Sequence, residues 1–319
     1  MKRMICLILA LAMVVTLTAC GGKEEPVVTT ATEVSVETDE AVAPETTEAP
    51  TEEGTEATEA PNTVMPVETV LLDNESCTFS FGPTSVSEVA GMQVNVTCVN
   101  KTQEDLVFSW NNVSVCGYMY DPNWAVTVHP GETEVSKVEI DTYALETMDI
   151  HSVDEITFQL NVVSSENWMD APYAVEYFTI YPTGLSAENV VYPIREAVTS
   201  EQVLVDDENM TFIIEYVEAD AFTYAVRCYI TNKTAGTIMA NWENVTVNGE
   251  PVDPFWTALV APGKSAYSQV LFNMSDLESV GAAEVEQIDF DLLAYNDADG
   301  SELVRITATY LPQEMAALG

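Results

Sequence analysis

Hydrophobic and polar residues alternate with a period of two in many short segments of this chain, as in 94–99 and 156–162. This alternation is typical of half-buried β-strands, in which successive side chains point to opposite faces of a sheet. A short helical turn is predicted near Thr142 to Ile150, matching Met274 to Ala282. Strands are predicted near residues 76–81, 92–99, 105–110, 112–118, 124–128, 134–140, 154–163 and 174–181.

The pattern is duplicated along the chain. Asn100-Lys101-Thr102 recurs 132 residues later as Asn232-Lys233-Thr234. The same register aligns Trp110 with Trp242, Asp121-Pro122 with Asp253-Pro254, Trp124 with Trp256, Pro130-Gly131 with Pro262-Gly263, and Ile156, Phe158 and Leu160 with Ile288, Phe290 and Leu292. So many matches at one offset indicate a duplicated domain, with repeats at about 67–184 and 198–312 and a short connection near 192–200.

Each repeat has the strand number of a β-sandwich. Seven or eight short strands fall within about 115 residues and are bounded by Pro-Gly, Asp-Pro and Asp-Gly turns. This spacing is typical of antiparallel sandwiches. The predicted fold class is therefore all-β, with two tandem antiparallel immunoglobulin-like β-sandwich domains after a disordered acidic linker.

The N-terminus has the features of an export signal. Lys2 and Arg3 precede an apolar run from Met4 to Val15, which is too short to span a bilayer. The following Leu17-Thr18-Ala19-Cys20 resembles the lipobox of bacterial lipoproteins. That resemblance implies a signal peptide at 1–19, a diacylglyceryl group on Cys20, and attachment to the extracellular face of the cell membrane through acyl chains. The alternative is an ordinary secretory signal or an uncleaved anchor.

The amino-acid composition indicates that the segment after the lipobox is disordered, and the net charge excludes some classes of partner. Residues 20–66 are rich in Thr, Glu, Ala and Pro, so they are predicted to form a disordered stalk. The whole chain has 52 acidic and 10 basic side chains, a net charge of −42. Such a protein repels phosphate backbones and anionic headgroups, which excludes nucleic acid and direct electrostatic docking onto lipid.

Besides Cys20, the cysteines of the predicted mature chain form no recognisable framework. Three lie in the first repeat and one in the second: Cys77, Cys98, Cys116 and Cys228. Buried free thiols are the favoured interpretation, and a pair such as Cys77 with Cys98 or Cys98 with Cys116 is the alternative. The spacing typical of zinc ligands is missing from the sequence.

The sequence contains no catalytic motif. His129 and His151 align with Ala261 and Ala283, so a histidine site would exist in one repeat only, and surface positions are expected. The segment from Asn296 to Glu302 resembles part of a calcium loop, but a turn joining two strands is favoured. We expect no enzyme activity, no cofactor and no metal ion.

Two duplicated aromatic and acidic pairs are the candidate ligand surface: Trp124 with Asp121, and Trp256 with Asp253. Aromatic rings beside a carboxylate suit the recognition of a sugar or a peptide. The favoured interpretation is that the tryptophans fill the core and that Asp-Pro opens a turn. Trp124 and Trp256 are expected to be partly exposed because they stand next to that turn.

The lipobox, the stalk and the repeated Trp, Asp-Pro-x-Trp, Pro-Gly and Ile-x-Phe-x-Leu pattern resemble immunoglobulin-like domains in uncharacterised lipoproteins of anaerobic Gram-positive bacteria. This resemblance implies an architecture and says little about activity. The sequence hypothesis is a non-catalytic surface protein that binds an envelope polymer, a glycan or another surface protein. The alternatives are a structural spacer or subunit of an envelope complex, and then an enzyme.

Overall fold

The computed structural model describes residues 68–87, 91–254 and 256–312. They belong to a compact unit, Glu59–Gly319, that contains both repeats. The predicted signal peptide 1–19, Cys20 and the predicted stalk 20–66 lie outside the described residues. Among the helices in the described ranges, none has the length and hydropathy needed to cross a membrane.

The first repeat is built from strands and one short helix. Asp141 caps this helix, accepting a hydrogen bond from the Ala144 N–H at 2.7 Å. The elements are β1 (Thr69–Asp73), β2 (Cys77–Ser87), β3 (Gly91–Asn100), β4 (Leu106–Val115), β5 (Tyr118–Met119), β6 (Ala125–Val128), β7 (Thr133–Ile140), α1 (Thr142–Thr147), β8 (Ile156–Ser164) and β9 (Ala174–Ile180).

The second repeat follows the same order. Its elements are β10 (Gln202–Asp206), β11 (Met210–Ala219), β12 (Thr223–Asn232), β13 (Ile238–Val247), β14 (Glu250–Pro251), β15 (Ala258–Val260), β16 (Ser265–Asn273), α2 (Met274–Ser279), β17 (Ile288–Asn296) and β18 (Glu302–Tyr310). The all-β prediction is therefore confirmed, and both short helices lie where the sequence predicted helical turns.

Two details of the strand prediction are wrong. The pattern predicted separate strands at 105–110 and 112–118, but most of both segments forms the single strand β4, which carries a bulge between Asn111 and Ser114. A bulge lets a strand bend and continue past an irregular position, so the interrupted alternation did not mark its end. Strand β1 was not predicted, because its five residues do not alternate regularly.

Each repeat is a sandwich of two sheets. In the first repeat β1-β2-β3-β7 face β4, β8 and β9, with β5 and β6 beside β4. The chain crosses between sheets from β3 to β4, from β6 to β7 and from β7 to β8, which is the immunoglobulin-like strand order. The second repeat matches it, with β10-β11-β12-β16 facing β13, β17 and β18.

The alternating pattern places one side of each strand in a core. In β8, every second residue from Ile156 to Ser164 is buried. The ring of Phe158 stacks on Trp110 with a centroid distance of 3.8 Å, and Phe290 stacks on Trp242 at 3.7 Å in the second repeat. Each repeat thus buries its own hydrophobic cluster around a stacked Trp-Phe pair.

The repeated Asn-Lys-Thr motif is a structural element. Asn100 is fully buried, and its amide donates to the carbonyls of Glu104 and Val128 at 2.7 and 2.8 Å. Its side-chain oxygen accepts from the Thr102 N–H at 2.8 Å. Asn232 makes the matching bonds in the second repeat at the same lengths. The motif therefore links the loop that follows β3 or β12 to the end of β6 or β15 through hydrogen bonds.

The two repeats are joined through a continuous sheet. Strand β5 of the first repeat lies parallel to β16 of the second, and the Ser265 N–H donates to the Gly117 carbonyl at 3.0 Å. We name this contact the seam, with its central residues Tyr118, Glu155, Tyr229, Lys264 and Tyr267. The sheet order β12-β16-β5-β4 crosses from one repeat to the other, a contact that the sequence did not predict.

Aromatic stacking and a buried ion pair hold the seam. The Tyr118 and Tyr267 rings stack with centroids 5.4 Å apart, and Tyr229 meets Tyr267 edge-on at 5.3 Å. The Lys264 ammonium lies 3.1 Å from the carboxylate of Glu155, which is buried. A buried ion pair is tolerated when further hydrogen bonds satisfy it.

The segment between the repeats packs onto the seam. The Tyr192 hydroxyl donates to Glu155 at 2.7 Å. The Arg195 guanidinium binds the carboxylates of Glu201 and Glu215 and lies 4.7 Å from the centre of the Tyr229 ring. The connection predicted near 192–200 is therefore part of the folded unit and is anchored by charge and cation-π contacts.

Candidate functional site

The tryptophans of the predicted ligand surface lie in the core. Trp124 and Trp256 are 8% and 9% exposed, so the expectation of partial exposure is wrong. Their indole N–H groups donate to Ser136 at 3.1 Å and Ser268 at 2.9 Å, on the facing sheet. Because this bond turns each ring inward between the sheets, neither ring presents a face to a ligand.

The aspartates of the same prediction are exposed, and each one lines a pocket. Asp121 lines a cleft of about 510 Å³ together with Trp110–Val113 and Met119–Tyr120. Asp253 lines a cleft of about 500 Å³ together with Trp242–Val245 and Pro251–Val252. These two sets correspond residue by residue at the offset of 132. The pocket is thus duplicated with the domain, and we name its copies pocket 1 and pocket 2.

The bulge in the central strand shapes both pockets. Asn112 and Asn244 have positive φ angles of 49° and 53°, a conformation that asparagine tolerates better than most residues. The register of β4 on β8 and of β13 on β17 shifts at these positions. The regular pairing is interrupted here, and the bulged residues line the same pocket as Asp121 or Asp253.

The asparagine that lines each pocket is hydrogen-bonded to a polar side chain beside it. The Asn244 amide donates to Asp291 at 2.7 Å, and the Asn112 amide lies 3.4 Å from the Tyr177 hydroxyl. Hydrogen bonds from the Thr307 hydroxyl and then from Asn244 lower the pKa of Asp291, which is therefore ionised at neutral pH. Carboxylates and amides on one rim can bind the hydroxyl or amino groups of a polar ligand.

The tryptophan that lines each pocket has an unpaired donor. The indole Nε1 atoms of Trp110 and Trp242 are buried, and neither has a hydrogen-bond partner in the described part of the chain. Buried donors without a partner are uncommon in folded proteins. This feature also occurs in both copies. The sequence marked these tryptophans as duplicated but could not show that their N–H groups are unpaired.

Pocket 1 has a wall that pocket 2 lacks. Pocket 1 is closed on its far side by Thr257–Leu259 and Ala266–Ser268 of the second repeat, so it lies at the seam. The residues lining pocket 2 all come from the second repeat. Tyr267 therefore adds aromatic surface to pocket 1 alone, and so does Tyr120, whose counterpart in pocket 2 is Val252. The sequence could not identify Tyr267 as a pocket residue, because the seam brings it there.

The groups considered for catalysis or metal binding are placed elsewhere. His129 and His151 are exposed, and the hydrogen bond to Asp105 raises the pKa of His129. The segment at 296–302 is a turn in which the side-chain oxygens of Asn296 and Asp299 accept backbone N–H groups, as predicted. Within the described ranges, no group of three or more His, Cys, Asp or Glu side chains could hold a metal ion.

The four cysteines of the repeats are free thiols in the core, which confirms the favoured prediction: Cys77, Cys98, Cys116 and Cys228. Burial raises the pKa of each of these thiols, so they are protonated and unreactive at neutral pH. They therefore act as small apolar side chains.

Comparisons with known proteins find no relative by sequence, since no family model and no curated protein matches the chain. A solved protein of unknown function from Porphyromonas gingivalis W83 is 16% identical, over 77% of this chain and 100% of that one, with a TM-score of 0.20. The Salmonella enterica SafA pilin in complex with the SafB chaperone is 13% identical, over 75% and 98%, with a TM-score of 0.21.

An exo-chitosanase of Amycolatopsis orientalis is 10% identical over 72% of this chain, with a TM-score of 0.21. The match spans 26% of the chitosanase. At such identities and TM-scores, none of the three structures supports an inference about the function of this chain.

Proposed function

We propose that the protein is a lipid-anchored, non-catalytic binding protein of the bacterial cell surface, and that pockets 1 and 2 hold its ligand. The observation that carries this proposal is the duplicated pocket, with Trp, Asn, Val and Asp at the same positions in both repeats. The core explains the buried Trp and Val. It places no packing requirement on exposed Asp121 and Asp253, which line the pockets, and the Asp121 carboxylate also accepts the Asn123 N–H of its turn at 2.8 Å.

The chemistry of the pockets fits a glycan unit of a surface polymer. Ligand pockets in proteins measure about 300 to 1,000 Å³ and combine apolar walls with a few polar groups. Pockets of about 510 and 500 Å³ lined by a carboxylate, an amide and a tryptophan match this description. Because the chain has a net charge of −42, the proposed glycan is neutral or carries amino groups.

The proposed lipid anchor would place the binding unit at the cell surface. Cys20 in its lipobox is the proposed acylation site, and two acyl chains give stable membrane attachment. The stalk at 20–66 would then extend the repeats away from the extracellular face of the membrane. A surface polymer or another surface protein would be within reach of both pockets.

The test of the proposal is glycan binding by the chain from Gly21 onward, which contains the compact unit. Neutral, amino-sugar and uronic-acid polysaccharides are immobilised, and binding is measured by biolayer interferometry. We expect binding to the first two classes and at least a tenfold loss of affinity in the double variant Asp121→Asn, Asp253→Asn. The matched control is Glu188→Gln, an exposed carboxylate outside both pockets, which should bind like the wild type.

Two outcomes would count against a glycan-binding function. One is wild-type protein that binds no polysaccharide at millimolar sugar concentration. The other is a double variant that binds as tightly as the wild type while keeping the same melting temperature.

A spacer within an envelope complex is the second candidate. The continuous sheet across the seam favours it, because one sheet contains strands of both repeats. Absence of glycan binding, together with recovery of a stable envelope complex containing the full chain, would support the spacer.

A further inference from the structure

The seam joins unlike surfaces, so it could in principle continue from molecule to molecule. It uses the β5 side of the first repeat and the β16 edge of the second. Because the repeats are copies, the first repeat also has a β16-like edge at β7, and the second has a β5-like segment at β14. Strands β7 and β14 are each an edge strand of their sheet. A contact between unlike surfaces that does not close forms open chains.

The free edge at β7 lacks the residues that make the seam. At the offset of 132, Thr97 replaces Tyr229, Glu132 replaces Lys264, and Val135 replaces Tyr267. The β7 edge therefore has no counterpart of the Tyr229 and Tyr267 rings. It carries the anion Glu132 where the seam carries the cation Lys264. Glu132 and Val135 are exposed, with Val135 at 65%.

The free segment at β14 is altered in the same way. Glu250 replaces Tyr118, Pro251 replaces Met119, and Gln287 replaces Glu155, the partner of Lys264. If a second molecule docked by a seam-like contact, Glu250 would lie beside Thr133, the counterpart of Ser265, and next to Glu132. Proline removes a backbone donor, and like charges at a strand edge oppose pairing.

We propose that these six positions close both ends of a two-repeat array, so that the protein is a monomer although its seam is an open head-to-tail contact. The β7 edge and the β14 segment are thus docking surfaces for a second copy of this chain, blocked by their side chains. The same six positions are sufficient to restore docking when they carry the seam residues. This proposal is independent of the ligand of the pockets.

The test exchanges the six positions for their seam counterparts in the chain from Gly21 onward. One variant carries Thr97→Tyr, Glu132→Lys and Val135→Tyr at β7. A second carries Glu250→Tyr, Pro251→Met and Gln287→Glu near β14. A third carries all six substitutions. Sedimentation velocity at 1 to 100 µM gives the size of each species, and near-ultraviolet circular dichroism verifies the fold.

The wild type and each three-substitution variant should sediment as monomers. An equimolar mixture of the two three-substitution variants should form heterodimers and stop there, because each molecule offers one restored surface. The six-substitution variant should form concentration-dependent chains of three or more molecules. The mixture keeps the test informative if the six-substitution variant does not fold.

Wild-type protein that associates at 100 µM would overturn the proposal. So would a folded equimolar mixture that remains monomeric at that concentration. In the first case the ends are not closed, and in the second the six positions are not what closes them.

Discussion

At the scale of single residues, the side chains of Asn100 and Asn232 serve as hydrogen-bond partners for buried backbone groups. Each is fully buried, and each bonds two carbonyls and one N–H of neighbouring loops. A buried backbone group that loses its partner costs about 1 to 3 kcal/mol. The Asn-Lys-Thr motif is therefore duplicated for a reason of stability.

Substitution Asn100→Ala should lower the free energy of unfolding by about 2 to 4 kcal/mol, because at least two backbone groups lose their partner. Asn232→Ala should cost the same, since its bonds have the same lengths. Urea unfolding followed by tryptophan fluorescence measures both. Asn189→Ala is the control: its amide bonds only the Ser186 hydroxyl, so a change below about 0.5 kcal/mol is expected. Equal effects at Asn100 and Asn189 would contradict this account.

At the scale of single elements, the bulge in β4 and β13 determines where each pocket forms. The alternating pattern marked the strands well, because the side chains of a strand meet core and solvent in turn. It did not mark the bulge, because a positive φ at Asn112 or Asn244 leaves no distinctive pattern in the sequence. The identical Asn at both positions was the available signal, and only the backbone showed its meaning.

Comparison of the variants Asn244→Gly and Asn244→Ala should reveal the positive φ angle at this position. Both substitutions remove the bond to Asp291, but alanine at φ 53° is strained and glycine is not. We expect Asn244→Ala to be less stable than Asn244→Gly by about 1 kcal/mol in thermal unfolding. At the neighbouring strand position Glu243 the order should reverse, because glycine weakens a regular strand. If alanine were more stable than glycine at both positions, the positive φ angle at Asn244 would not persist in solution.

At the scale of the whole molecule, the seam makes one body of two sandwiches. The Arg195 guanidinium, 10% exposed at its side chain, joins the connecting segment to Glu201 and Glu215. Burial alone would raise the pKa of Glu201, but hydrogen bonds from Arg195 and the Val198 N–H outweigh it, and the pKa is lowered. A carboxyl group with a lowered pKa in the folded state stabilises that state when it is ionised.

The contribution of Glu201 should disappear in acid. It is fully present above the ordinary glutamate pKa of about 4.3 and is lost as the pH falls through the lower folded-state pKa. The melting temperature of Glu201→Gln should therefore lie below that of the wild type at pH 7, and the difference should shrink between about pH 5 and 3. Glu188→Gln serves as the control. A difference that stays constant with pH would contradict an ionic role for Glu201.

The sequence by itself determined the features that depend on local order. The duplication, most of the strands and the helical turns follow from residue spacing and alternation, which reflect contacts with core or solvent at each position. The acidic charge and the lipobox are likewise properties of composition and of a short motif. The turns at Asp121-Pro122 and Asp253-Pro254 were recognised for the same reason, but the pockets that these aspartates line were not.

Only the tertiary structure decided which surfaces meet. Glu155 and Lys264 form the seam although 109 residues separate them, and no periodicity connects them. The inward position of Trp124 and Trp256 depends on serines of the facing sheet. The second wall of pocket 1 depends on the docking of one repeat against the other. These are contacts between distant segments, and their energies arise only when the chain has brought the segments together.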